Sequence, residues 1–148
     1  MKRLYGWIAG LHFFVGVGAV FGGLAAVTDP VAPLGISTEA LAYGPFADFL
    51  IPGLVLLIAL GLGNIGTGIL AIRKTRFHGI VSGIAGAMLV GWIVIQCVIL
   101  QTIAALHVVF FLIGAVQGVL ALILLFKRND FPINLIMRRF GRTSPAAQ

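Results

Sequence analysis

Four long apolar runs, separated by short polar segments, dominate the chain. The first run, residues 4–27, has no charge and would be about 36 Å long as a helix, enough to cross about 30 Å of hydrocarbon. Residues 79–126 have no charge either and would reach about 72 Å as one helix. The chain must therefore turn back within them, and the polar pair Gln101 and Thr102 is the expected corner. The pattern predicts an all-α, four-helix membrane bundle with spans at about 4–27, 50–72, 78–100 and 104–126.

The basic residues all flank the same ends of these runs. They occur at positions 2–3, 73–76 and 127–142, whereas residues 28–50 and 101–105 contain none. Cytoplasmic flanks retain Lys and Arg, while translocated loops lack them. We expect a single membrane domain in the inner (cytoplasmic) membrane, with both termini cytoplasmic.

Composition supports a membrane protein. Hydrophobic residues make up 60% of the chain and charged residues only 9%, whereas soluble domains have about 25% charged residues. The net charge of +6 is explained by the membrane flanks, so we expect no nucleic-acid partner. A single cysteine, Cys97, excludes an internal disulfide and a CxxC redox pair.

Short helices are expected outside the spans. In the outer loop, residues 28–49, Ser37 could cap a helix over residues 38–43 that Gly44 ends, and Asp48 could cap the second span. In the tail, residues 127–148, an apolar stripe at helical spacing predicts an amphipathic helix on the anionic inner leaflet; a frayed tail is the alternative. The basic side chains expected to contact those lipids are Arg138, Arg139 and Arg142.

Seventeen of the twenty glycines lie in the apolar runs, often at small-xxx-small spacing. Gly6–Gly10, Gly18–Gly22 and Gly114–Gly118 are three such pairs, and residues 79–91 carry a longer series. Helices in lipid associate by close packing, which small residues permit. The spacing predicts a tight bundle, and a sliding interface between helices is the alternative.

Three polar residues are expected to meet in an inner layer. His12, Asn64 and Gln117 fall at similar depths, and each lies on the small-residue face of its helix. Polar groups in hydrocarbon need partners. Structural hydrogen bonding between helices is the main interpretation. A ligand, ion or proton site is the alternative, in which His12 is the member that titrates near neutral pH.

A second polar group is expected near the outer face, formed by Asp48, Trp92, Gln96 and His107. An Asp48–His107 pair could form a pH-sensitive latch, or both could make ordinary hydrogen bonds. Trp92 and Gln96 point away from the small-residue face of their helix. Either that helix is the most enclosed of the four, or the pair contacts another subunit.

The two halves of the chain follow a similar plan. Each is a hairpin that leaves and re-enters the cytoplasmic side, and Asn64 precedes a basic pair much as Gln117 does. Parallel repeats of this kind occur in transporters. Apolar helices also resemble one another by composition, so the pattern leaves duplication open.

Catalytic and metal-binding patterns are missing from the sequence. The spans contain no HxxE, HxxxH or clustered carboxylates, and no acid–base pair has a suitable spacing. His12 and His107 would lie about 15 Å apart along the membrane normal, which disfavours a shared haem. We expect no enzyme activity, no metal and no cofactor.

Three segments carry a family resemblance: GPFADFLIPG at residues 44–53, GLGN at 61–64 and GWIVIQ at 91–96. They resemble a group of small bacterial four-helix membrane proteins, over about half of the chain. The resemblance implies a multi-pass inner-membrane protein and indicates no substrate.

The sequence therefore favours a non-enzymatic structural or accessory membrane component. We expect it to self-associate or to bind a partner membrane protein, through its glycine-rich and Trp92–Gln96 faces. A small oligomeric transporter or channel lined by the inner layer is one alternative. A quinone- or haem-associated redox subunit is the other.

Overall fold

All four apolar runs are helices in the computed structural model, which describes residues 2–128. They are α1 (Lys2–Thr28), α2 (Leu50–Ile72), α3 (His78–Leu100) and α4 (Ala105–Arg128), and the described residues contain no strand. Each helix is long and apolar enough to cross a membrane. The predicted amphipathic tail helix and its arginines, Arg138, Arg139 and Arg142, lie outside the described residues.

Side chains from three helices meet at one end of the bundle, here called the terminal end. The rings of Tyr5 on α1 and His78 on α3 are 5.0 Å apart, and Arg128 on α4 donates a hydrogen bond to the Tyr5 hydroxyl. Lys74, just after α2, lies over the same tyrosine ring. The α1–α2 and α3–α4 connections lie at the opposite, loop end.

The connection between α1 and α2 contains two short 3₁₀-helices, Pro33–Gly35 and Thr38–Leu41. The second is a shorter form of the helix predicted over residues 38–43. Its bonds join residues three apart, and the Ser37 side chain makes no capping bond. The segment is thus a single tight turn that ends before Tyr43. The N-cap residue of α2 is Phe49 and not the predicted Asp48, but the Asp48 carboxylate accepts the Leu50 N–H at 2.9 Å, at the start of this helix.

The α3–α4 connection begins at the predicted corner. Gln101 has a positive φ of 48° and ends α3 in the left-handed conformation. Its side-chain amide donates to the Val98 carbonyl at 2.7 Å. That bond satisfies one of the carbonyls left open at a helix end.

The two helical hairpins pack in the same way. A Cβ added to Gly61 of α2 would lie 2.8 Å from Val20 Cγ2 and 3.1 Å from the Val20 nitrogen. A Cβ added to Gly114 of α4 would lie 2.9 Å from Val90 Cγ2 and 3.2 Å from the Val90 nitrogen. The α1–α2 contact is therefore reproduced between α3 and α4, with a glycine on the second helix against a valine on the first.

Helix α2 contains a π-helical segment, Val55–Leu62, in which the Gly63 N–H reaches back to the Ile58 carbonyl. The sequence indicated only a regular helix, since the segment is apolar throughout. Helix α1 approaches this segment closely. A Cβ on Gly23 would lie 2.6 Å from the Leu57 nitrogen, a distance that requires glycine.

The predicted small-residue contacts are used unevenly. Gly79 lies against Leu125 of α4. At Gly6, Gly10 and Gly91, by contrast, an added Cβ would have no described atom outside its own helix within 4 Å. The tight packing therefore rests on the glycines that face another helix in the same subunit.

Candidate functional site

His12, Asn64 and Gln117 form one buried polar layer, here called the inner layer. His12 Nδ1 lies 2.7 Å from Asn64 Oδ1 and 3.0 Å from Gln117 Nε2, and Gln117 Nε2 lies 3.3 Å from Asn64 Oδ1. None of the three side chains is more than 1% exposed. The layer separates two apolar core clusters, one around Val15 and Leu60 and one around Ile8. The structure thus brings together α1, α2 and α4 through the three residues that the sequence grouped.

The Asn64 amide sets the direction of these bonds. Its Nδ2 donates to the Leu60 carbonyl at 2.8 Å, so its Oδ1 is the acceptor that faces the layer. His12 donates to it through Nδ1–H, and Gln117 donates to it through Nε2–H. Because both nitrogens are then donors, the 3.0 Å contact between His12 Nδ1 and Gln117 Nε2 is not a hydrogen bond. In neutral His12, Nε2 then carries a lone pair, and no described protein atom donates to it.

Ser82 is a fourth member of this region that the sequence analysis missed. It precedes Gly86 by one helical turn, as His12 precedes Gly16. A Cβ on Gly86 would lie 2.8 Å from the Gly114 carbonyl, and one on Gly16 would lie 3.1 Å from the carbonyl of the equivalent glycine in α2. Ser82 therefore takes on α3 the place that His12 takes on α1. No signal in the sequence alone singled it out, because the equivalence of the two hairpins rests on these contacts.

His78 is a second buried residue that the sequence analysis missed. It is fully buried at the terminal end, and its Nδ1–H donates to the Thr75 carbonyl, which leaves Nε2 as an acceptor. In the half of the bundle toward the terminal end, four buried polar atoms lack a hydrogen-bond partner within the described chain. They are His12 Nε2 and Gln117 Oε1 in the inner layer, Ser82 Oγ on α3 and His78 Nε2 at the terminal end. Three of them are acceptors only and the serine hydroxyl can be one. The region is therefore suited to donors such as water or a proton, and unsuited to anions.

The outer group divides into residues that act separately. Asp48 accepts the Leu50 N–H, and His107 Nδ1 accepts the Ala104 N–H at 3.1 Å. No hydrogen bond joins Asp48 to His107 in the described chain. The latch considered from the sequence is not formed, because each side chain binds the backbone at the start of its own helix.

Trp92 faces the interior of the subunit and is 9% exposed. It packs in the core cluster with Val15, Leu60 and Leu89. Its burial removes the indole as a contact with another subunit. Helix α3 is not the most enclosed helix either, since α1 buries the largest share of its span. The small-residue spacing was misleading because the glycines of α3 lie on two sides of the helix: Gly86 faces α4, whereas Gly91 faces no other described helix.

Trp92, Gln96 and His107 line a partly open cavity of about 150 Å³ near the loop end. Its other walls are mainly apolar and come chiefly from α1 and α4. The Trp92 indole N–H has no hydrogen-bond acceptor in residues 2–128. The cavity thus groups three of the four residues expected in the outer group and leaves out Asp48.

The described fold is that of a four-helix, multi-pass membrane protein with a polar layer inside the bundle. Comparisons with protein-family models, curated proteins and solved structures found no match to this chain.

Proposed function

We propose that the protein is a non-enzymatic accessory component of the inner membrane, with both termini in the cytoplasm. The orientation is supported by the basic residues, which flank only the terminal end of the spans. The inner-membrane location is supported by the resemblance of residues 44–53, 61–64 and 91–96 to small bacterial membrane proteins. Anionic lipids of the cytoplasmic leaflet are the expected partners of Arg138, Arg139 and Arg142.

The hydrogen bonding of the inner layer is the observation that carries this proposal. His12 Nδ1–H and Gln117 Nε2–H both donate to the Asn64 side-chain oxygen, and all three side chains are almost fully buried. Hydrogen bonds between membrane helices contribute about 0.6 kcal/mol each on average. The layer therefore supports a structural role, in which it fixes three helices relative to one another. The folded bundle then binds a partner membrane protein or a second copy of itself.

Proteoliposomes with an imposed pH gradient test this role. Wild-type vesicles should hold the gradient as long as protein-free vesicles do. Asn64→Leu should lower the melting temperature in detergent, because it removes the shared acceptor. Gln96→Leu is the matched amide control and should lower it less. Rapid collapse of the gradient by the wild type, abolished in folded Asn64→Leu, would contradict the proposal.

Native mass spectrometry of protein released from its own membrane in a mild detergent tests the accessory role. We expect a homo-oligomer or a defined complex with a second membrane protein. A monomer at every detergent concentration, with no bound protein, would contradict it. Dissociation of any complex should leave the subunit folded, since residues 2–128 form two apolar core clusters within one subunit.

A proton or cation path is the second candidate function. It is favoured by the buried acceptors that lack protein partners, His12 Nε2 and Gln117 Oε1 among them. Buried polar atoms are normally satisfied, so ordered water or a transported proton would complete the layer. The pH-gradient assay separates the two candidates, because only a path predicts flux that Asn64→Leu abolishes.

A further inference from the structure

The cavity at the loop end presents hydrogen-bond donors. His107 Nδ1 accepts the Ala104 N–H, so the neutral imidazole carries its proton on Nε2 and offers a donor. Trp92 Nε1–H is a donor too, but this atom has almost no accessible surface, so the indole contributes apolar wall to the cavity. Gln96 adds an amide to the same lining. A neutral oxygen acceptor on a bound molecule is the chemistry that complements the N–H groups of His107 and Gln96.

The size of the cavity restricts its occupant to one ring. Its volume is about 150 Å³, comparable to an engineered apolar cavity that holds benzene. Val15, Leu89 and Phe110 provide apolar wall on α1, α3 and α4. A six-membered ring with a carbonyl oxygen satisfies both the apolar wall and the donors.

Access to the cavity comes from the bilayer. Two lining residues are exposed, Gly18 on α1 and Leu106 on α4, so the mouth lies between these helices. A larger groove of about 620 Å³ adjoins the cavity along α3 and α4 and shares Ile93 and His107 with it. A molecule with a ring and an apolar tail could place its ring in the cavity and its tail in the groove.

We propose that this cavity binds a membrane-soluble, carbonyl-bearing ring of the quinone class. The ring lies between α1, α3 and α4, and a carbonyl oxygen accepts from His107 Nε2–H, beside the Gln96 amide. This site is separate from the inner layer. It goes beyond the accessory role, and neither proposal depends on the other.

Quenching of tryptophan fluorescence by decylubiquinone tests the proposal. The protein has two tryptophans, and Trp7→Phe removes the exposed one so that Trp92 alone reports. Decylubiquinone should quench Trp92 saturably in detergent. Gly18→Leu should weaken binding roughly tenfold or more by filling the mouth. A Cβ at Gly18 meets only the Phe110 ring, at 3.5 Å, and thermal unfolding checks that the larger leucine leaves the bundle folded.

Two further variants make the test specific. Gly10→Leu lies on the exposed side of the same helix, where a Cβ meets no described neighbour, and should leave binding unchanged. His107→Asn keeps an acceptor for the Ala104 N–H but removes the Nε2 donor, and should weaken binding roughly three- to tenfold.

Three outcomes would overturn the proposal. The first is quenching that does not saturate. The second is equal quenching in Gly18→Leu and Gly10→Leu. The third is a tightly bound phospholipid in native mass spectra that decylubiquinone does not displace, which would assign the cavity to a lipid ester.

Discussion

His12 of α1 and Asn64 of α2 are joined by a 2.7 Å hydrogen bond across 52 positions of sequence, in a region where neither side chain meets solvent. Gln117 of α4 reaches both of them. Ser82 holds the matching position on α3. Each helix thus contributes one buried polar residue. His12 and Asn64 in the first hairpin correspond to Ser82 and Gln117 in the second.

Because α3 and α4 approach closely, replacing two different glycines of α3 by alanine should change the stability by very different amounts. Gly86→Ala should cost about 1–3 kcal/mol, because its Cβ would lie 2.8 Å from the Gly114 carbonyl and 2.9 Å from the Gly118 nitrogen. Gly91→Ala is the control and should be neutral or slightly stabilising, since its Cβ meets no described atom within 4 Å and alanine favours helix. Thermal unfolding in detergent measures both. Equal effects would contradict this packing.

The Ser82 hydroxyl offers a test of what fills the polar region. An unsatisfied buried hydroxyl costs about 1–3 kcal/mol, and Ser82 Oγ has no partner in the described chain. Ser82→Ala should therefore leave the melting temperature unchanged or raise it. Ser37→Ala, in the exposed loop, is the matched control. A drop of several degrees in Ser82→Ala alone would indicate a bound water or cation and would favour the proton path.

Cysteine labelling tests the proposed orientation. Cys97→Ala removes the single native cysteine, and a reporter can then be placed at Ser37 in the α1–α2 connection or at the exposed Phe77 between α2 and α3. A membrane-impermeant maleimide should label Ser37→Cys in intact cells. It should label Phe77→Cys only after lysis. The reverse pattern would overturn the assignment of both termini to the cytoplasm.

Much of this fold could be predicted from the sequence because few backbone structures can cross a lipid bilayer. A run of apolar residues that crosses hydrocarbon must be a helix, and the polar pair at Gln101 left one place for the last turn. The grouping of His12, Asn64 and Gln117 followed from helix rise and from the small residues beside them.

Other features depend on the orientation of each helix about its own axis and on the distances between helices. Neither can be read from the sequence of a single helix. The burial of Trp92 and the cavity beside it were missed for this reason. The π-helical turn before Asn64 was missed because an apolar segment shows the same pattern in either helix. Ser82 became visible only when equivalent contacts aligned the two hairpins.

A double-mutant cycle on His12 and Asn64 tests the central claim that the inner layer holds helices together. Unfolding free energies of the wild type, His12→Ala, Asn64→Ala and the double variant would be measured in the same detergent. We predict a coupling energy of about 0.6 kcal/mol, and up to about 1.7 kcal/mol, the range for hydrogen bonds between membrane helices. Strict additivity of the two substitutions would contradict the account.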